Sequence, residues 1–295
     1  LIIMSNANLN DFGMDSRSLG GSLSVKLDAV REAGFSQIML CAQDLVNHPG
    51  GVDAAVACVH ASGLRLTAFQ ASCDFEGQTG PLHAYKLDVA QAMLGMCHAL
   101  RGDLLVLPSS SLAPGSDSPQ ALIRDLRQLA MLAIPMNIKV AYQGWARGAV
   151  VQNFLQAWDL VCEADMPNLG LCLDSHALLA ANTPLEDLEM LDPDKLFLME
   201  LADLLGPSNR PDQAFRVFPG DGAHRAELAT LVTTMHTLGY RGAYSLAAFN
   251  DDYLAMPPQL VAQRARSAAL WLGQDVLQRS VPLPNQIRLR RALAA

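Results

Sequence analysis

Three polar residues close three successive apolar runs. Val140-Ala141-Tyr142 leads into Gln143, Leu171-Cys172-Leu173 leads into Asp174, and Glu200 interrupts Leu198-Met199-Glu200-Leu201-Ala202. A carboxylate inside an apolar run is costly unless it is paired or ligating, which makes Glu200 the most telling of the three. If the runs are neighbouring strands about 4.8 Å apart, their inward side chains converge and could share one cation. Oxygen donors favour Mg²⁺ or Mn²⁺ over zinc. The competing reading of each residue is that a strand simply leaves the core through a polar position.

Two further residues carry chemistry. His176, just past Asp174, is a candidate acid/base beside Glu200, a ligand, or a packed loop histidine. Arg216 is a cation in the apolar stretch Phe215-Arg216-Val217-Phe218. It could clamp a carboxylate or phosphate with two parallel N–H bonds, or pair with a nearby acid such as Asp212. Gln70 ends another apolar run, Leu66-Thr67-Ala68-Phe69, and Asp203 follows the run that holds Glu200. Both are candidate substrate-binding residues. Trp145 lies just past the run that ends in Gln143.

These residues need a scaffold that brings strand ends together. Short apolar runs at 2–4, 37–41, 64–69, 103–107, 138–142, 169–173, 196–201 and 242–246 alternate with segments of helical period, such as Leu122, Leu126, Leu129 and Ala133. Ser118-Pro119 reads as a helix N-cap followed by proline at the first helical position, and Thr183-Pro184-Leu185-Glu186 reads as a capping box. Gly34, Gly63, Gly102 and Gly239 follow helical runs where a left-handed residue is needed. Strand then helix, eight times over, predicts parallel strands with crossover helices closing into a single (β/α)8 barrel. An open doubly wound sheet is the alternative, and no GxGxxG follows the first run to favour its dinucleotide-binding form. Residues 1–280 are assigned to the barrel, and 281–295 to a C-terminal tail or a truncated linker. The irregular stretch 203–222 is long enough to be read as functional.

Composition agrees with this scaffold. The chain has 295 residues, of which 51% are hydrophobic and 17% charged, with a net charge of −8. That excludes a disordered chain and argues against a nucleic-acid surface. Only Arg288, Arg290 and Arg291 form a basic strip. Six cysteines without a CxxC spacing predict reduced, mostly buried thiols in a cytoplasmic protein. No apolar run reaches membrane-spanning length. The expected partner is a small molecule, anionic or polyhydroxylated, with neither nucleic acid nor membrane involved. Self-association into a homo-oligomer stays open.

Several stretches together resemble a known family. These are Phe69-Gln70 through Asp74-Phe75-Glu76-Gly77, Asn168 through Ser175, Leu201-Ala202-Asp203, Phe215 through Gly220, and Phe249-Asn250-Asp251 continuing to Leu270-Trp271-Leu272. They resemble the xylose-isomerase-like TIM barrels, the sugar-phosphate isomerases and epimerases, and within them most nearly the barrel of bacterial 3-dehydroshikimate dehydratases. The resemblance implies isomerase, epimerase or dehydratase chemistry on a small polyhydroxylated carbonyl compound. It also implies a divalent cation held by Glu, Asp, Gln and Glu at the ends of strands five to eight. Those places read Gln143, Asp174, Glu200 and Ala247 here. The family's histidine falls on Ala177, its arginine before Asp-Phe-Glu on Cys73, and an acidic position of strand two on Met39, while Arg216 is kept. The expected site is therefore incomplete, and a barrel that binds or regulates without catalysis is the alternative. Endonuclease IV chemistry, which needs a cluster of several His and acidic metal ligands, is poorly served by one strand-end histidine.

Overall fold

The computed structural model describes residues 9, 11–71, 74–206 and 216–278. Eight parallel strands close into a barrel: β1 (Phe12–Asp15), β2 (Gln37–Cys41), β3 (Arg65–Gln70), β4 (Leu104–Pro108), β5 (Lys139–Gln143), β6 (Leu169–Asp174), β7 (Leu196–Leu201) and β10 (Ala243–Leu246). Between the last two, β8 (Asp203–Leu204) and β9 (Arg216–Val217) form a separate antiparallel pair. Barrel closure runs through β1, which pairs with β10 on one side and β2 on the other.

Seven of the eight barrel strands sit where the apolar runs predict, to within a residue at most boundaries. The first does not. The run at 2–4 lies outside the described residues, and the barrel's first strand is Phe12-Gly13-Met14-Asp15. It has four residues and a central glycine, so no local pattern marks it. The glycine is there for space: a Cβ on Gly13 would come 2.5 Å from Thr67 Oγ1.

The helices between strands are α1 (Leu23–Glu32), α2 (Ala42–Val46), α3 (Gly51–Ser62), α4 (Gly80–Ala99), α5 (Pro119–Ala133), α6 (Phe154–Ala164), α7 (Ser175–Ala180), α8 (Arg225–Leu238), α9 (Asp251–Ala255) and α10 (Pro258–Leu270). In α5 the Ser118 side chain accepts from Ala121 N and proline opens the helix, as the sequence implies. Its buried stripe includes Leu122, Leu126, Leu129 and Ala133. The predicted capping box at 183–186 is not formed. A 3₁₀ turn over Leu185–Met190 takes its place, with Pro184 at its start and no side-chain cap. Gly34, Gly63 and Gly239 adopt positive φ, but after α4 that role falls to Arg101. Gly102 is needed for a different reason, since a Cβ there would come 2.5 Å from Leu66 Cδ2.

The interior layering places the site. Met39, Ala68, Leu104, Val106, Ala141, Cys172 and Leu198 form an apolar cluster separate from the larger one packed between sheet and helices. Strand side chains alternate between faces with a period of two. Two residues beyond Ala68, Val106, Ala141, Cys172 and Leu198 are Gln70, Pro108, Gln143, Asp174 and Glu200, and all five line one cavity at the C-terminal mouth of the barrel. Catalytic groups in such barrels come from strand ends on this face.

Candidate active site

The cavity holds about 320 Å³ and is lined by polar strand ends together with Arg17, Arg216, Trp145 and Phe249. Residues Asp174 and Glu200 are register partners on adjacent strands. Gln143 Nε2 donates to Glu200 Oε2 at 3.1 Å. The convergence of Gln143, Asp174 and Glu200 expected from the sequence is therefore present.

Each carboxylate, however, meets a guanidinium. Arg216 donates from Nη1 to Asp174 Oδ2 at 2.7 Å and from Nη2 to Asp174 Oδ1 at 3.1 Å, while its Nε donates to the Ala247 carbonyl at 2.8 Å. The β8–β9 pair holds Arg216 there, and Asn250 Nδ2 donates to its carbonyl at 2.6 Å. Arg17 sits in a short 3₁₀ turn immediately after β1. Its Nε donates to both oxygens of Asp15, and its Nη2 lies 2.5 Å from Asp15 Oδ2 and 3.1 Å from Glu200 Oε1. Both guanidiniums lie 4.5 Å from the centroid of the Phe249 ring, close enough for cation–π attraction.

The electrostatics split the two carboxyls. Burial opposes ionisation of Asp174, but the Arg216 guanidinium outweighs it and holds the carboxyl below the usual range. Burial also opposes ionisation of Glu200. There the attraction of Arg17 does not offset it, because Asp174 and Asp15 add repulsion, and the carboxyl sits above the usual range. Two acids whose surroundings push them apart are suited to different roles. Burial would lower Arg17, but Asp15 and Glu200 more than compensate, so Arg17 is held firmly charged.

The wall beside β4 is built by the motif Asp74-Phe75-Glu76-Gly77. Asp74 Oδ1 accepts from Ser111 N and Oγ, and Glu76 Oε1 accepts from Ser110 N at 2.6 Å and from Tyr142 Oη at 2.8 Å. Ser109 Oγ accepts from Trp145 N, which fixes the backbone of that tryptophan at the cavity edge. Gln70 is 2% exposed, and its Oε1 has no hydrogen-bond partner among the described residues. A buried acceptor at a cavity wall is a place for a ligand hydroxyl.

Two residues expected at the site are not part of its lining. The His176 ring is buried outside the cavity, and its main-chain N–H donates to Asp174 Oδ1 at 3.0 Å. It sits in the first turn of α7, which begins directly after Asp174, and its charge adds to the pull that favours the ionised Asp174. Asp203 is fully buried and accepts from the N–H groups of Leu204, Gly220, Gly222 and His224. The last three of these bonds tie it to the segment that follows β9. Arg216 pairs with Asp174, while Asp212 and Cys73 lie outside the described residues. Sequence reasoning missed Arg17, Asp15 and Phe249. The available signal was the carboxylate in Gly13-Met14-Asp15 two residues before Arg17, which only a correctly placed first strand would expose.

The donor set does not suit the Mg²⁺ or Mn²⁺ that the resemblance implies. Both Asp174 oxygens accept from Arg216, and the two Glu200 oxygens accept from Arg17 and Gln143. Gln143 presents its N–H, not its oxygen, to Glu200. Ala247 supplies no side-chain donor. No group of three or more His, Cys, Asp or Glu suited to a metal occurs among the described residues. So arranged, these residues do not fit a divalent cation. The five described cysteines are free thiols, three of them buried. Among the described residues, no helix is long and apolar enough to cross a membrane.

Comparison with known proteins agrees with the barrel. The chain is 34% identical over 274 residues to a 3-dehydroshikimate dehydratase of Pseudomonas aeruginosa, a match spanning 90% of this chain but 42% of that protein. A solved fusion of a xylose isomerase-like TIM barrel with a 4-hydroxyphenylpyruvate dioxygenase superposes with a TM-score of 0.84 at 29% identity, covering 92% of this chain and 44% of the fusion. The chain thus spans less than half the length of either protein. The solved IolI protein, described with a bound zinc atom, superposes with a TM-score of 0.77 at 18% identity over 90% of this chain and 99% of its own, which speaks for the fold alone. The sequence pattern of the xylose isomerase-like TIM barrel covers residues 27–273. With eight parallel strands closed around polar strand ends, this chain belongs to the xylose isomerase-like TIM barrel family.

Proposed function

We propose that this barrel is an isomerase, epimerase or dehydratase that moves a proton beside the carbonyl of a small, polyhydroxylated, anionic compound. The observation that carries this reading is Glu200, a buried carboxyl held above its usual range at the floor of a cavity lined by two guanidiniums. A base poised nearer neutrality suits proton abstraction next to a carbonyl. Arg17 Nη1 has no hydrogen bond among the described residues, so its N–H groups are available to a substrate oxygen. Gln70 Oε1 is available to a substrate hydroxyl. Trp145 and Phe249 offer apolar surface to a ring, and the volume suits one small ring compound. The similarity to a 3-dehydroshikimate dehydratase supplies the class of compound.

A second reading is a barrel that binds such a compound without turning it over. It is favoured by Ala247 and by the pairing of both carboxylates with arginines. One experiment separates the two. The protein is incubated with 3-dehydroshikimate in D₂O and followed by NMR for deuterium entry beside the carbonyl and for product. The enzyme reading expects exchange or turnover that Glu200→Gln abolishes. Binding in saturation-transfer spectra without exchange establishes the second reading, and neither binding nor exchange refutes this substrate class.

A further inference from the structure

We propose that the Arg17 guanidinium holds the place of a divalent cation at this strand-end cluster, so that the site works without a metal. Arg17 Nη2 bridges two carboxylates from different strands, Asp15 of β1 and Glu200 of β7, within 3.1 Å of an oxygen of each. That is the position a shared cation would take. The remaining oxygens near it are also committed: Glu200 Oε2 to Gln143, and both Asp174 oxygens to Arg216. A metal would have to displace a guanidinium that is also 4.5 Å from the Phe249 centroid and tied to Asp15 through Nε.

The charge pattern points the same way. Asp15 and Glu200 are 1% and 2% exposed, and two such carboxylates cannot be buried together without a compensating cation. Arg17 supplies it from within the chain, just after the strand that carries Asp15. Arg216 does the same for Asp174, so the protein itself furnishes the positive charge of this cavity.

The substitution has a chemical consequence. A cation beside the reacting carbonyl stabilises the oxygen that gains negative charge as the neighbouring proton leaves. The N–H groups of Arg17 Nη1 are placed to do this while Glu200 takes the proton, and a guanidinium remains charged throughout. This second role rests on the enzyme reading above, whereas the exclusion of metal does not.

The test uses Mn²⁺ alone as the probe, read by electron paramagnetic resonance and calorimetry on chelator-treated protein. Wild type is expected to show no stoichiometric binding up to about 1 mM, which corresponds to about −4 kcal/mol. Arg17→Met, which leaves Asp15, Glu200 and Asp174 with one fewer cation, is expected to bind Mn²⁺ at least ~10-fold more tightly. Arg17→Lys, which keeps a cation, should behave as wild type. Micromolar, one-to-one binding by wild type overturns the proposal, and that titration stands even if Arg17→Met does not fold. A folded Arg17→Met that binds no more tightly than wild type also overturns it. If no substrate is turned over, the enzyme reading fails while the Mn²⁺ titrations still decide the question of the metal.

Discussion

Replacing Arg216 by Met tests the electrostatic logic of the cavity directly. Arg216 is 3% exposed and makes three hydrogen bonds, two to Asp174 and one to the Ala247 carbonyl. Methionine keeps much of the volume and removes the charge and every donor. Asp174 is then left with one main-chain donor, His176 N, in a largely buried position. Breaking a buried ion pair from one side costs about 3–5 kcal/mol, because the surviving charge is stranded. The cost should depend on pH. In wild type the guanidinium outweighs burial and keeps Asp174 below the ordinary range; without it, burial pushes the carboxyl upward against the smaller pull of His176. Protonation then relieves the strain, a tenfold change in proton affinity being worth about 1.4 kcal/mol, so the deficit is largest at neutral pH and shrinks as the pH falls. Adding Asp174→Asn should recover all but about 1–3 kcal/mol, the remainder reflecting the unpaired Ala247 carbonyl. Urea unfolding followed by tryptophan fluorescence at neutral and mildly acidic pH measures this. A deficit that does not change with pH, or a double variant no more stable than Arg216→Met, refutes the account.

Other consequences can be checked separately. Asp44, like Asp174, is held below its usual range: burial opposes its ionisation, but Lys26 prevails. Such depressed carboxyls stabilise the fold fully above their unfolded values near ~3.9, and the contribution is lost as pH falls further through the folded values; thermal midpoints from neutral pH to pH ~3 should show it, with a shallower loss in Asp44→Asn. Asp203→Ala removes the acceptor shared by four main-chain N–H groups and should cost about 1–3 kcal/mol, with faster hydrogen exchange at Gly220, Gly222 and His224. Gly13→Ala forces a Cβ to 2.5 Å from Thr67 Oγ1 and should destabilise by about 1–3 kcal/mol, a loss that Thr67→Ala partly reverses in thermal melts.

Much of the architecture was legible from local pattern. Buried parallel strands read as continuous apolar runs because both their faces are covered, and seven barrel strands betray themselves that way. The Ser118 cap and the α5 stripe are equally local. The capping box at 183–186 failed because Pro184 opens a 3₁₀ turn there and Thr183 caps nothing. The first strand was illegible because four residues around a glycine acquire their conformation only by pairing with β10 and β2. Losing that strand meant losing Asp15 and Arg17, and with them half of the charge arrangement at the cavity. Nearness to Asp174 in sequence did not reveal that the His176 side chain is buried and outside the cavity lining, because α7 begins directly after Asp174.

The sequence by itself determined the barrel and the convergence of Gln143, Asp174 and Glu200. A period of two, counted upward from an apolar interior layer, sets which residues face the axis and at what height. Only the tertiary structure decided what those residues meet. Arg216 reaches Asp174 from a distant strand pair, and Arg17 reaches Glu200 across the closure of the barrel, separations in sequence of 42 and 183 residues. No local rule encodes such pairings, because they arise from the need to neutralise buried carboxylates with whichever cations barrel closure brings within reach.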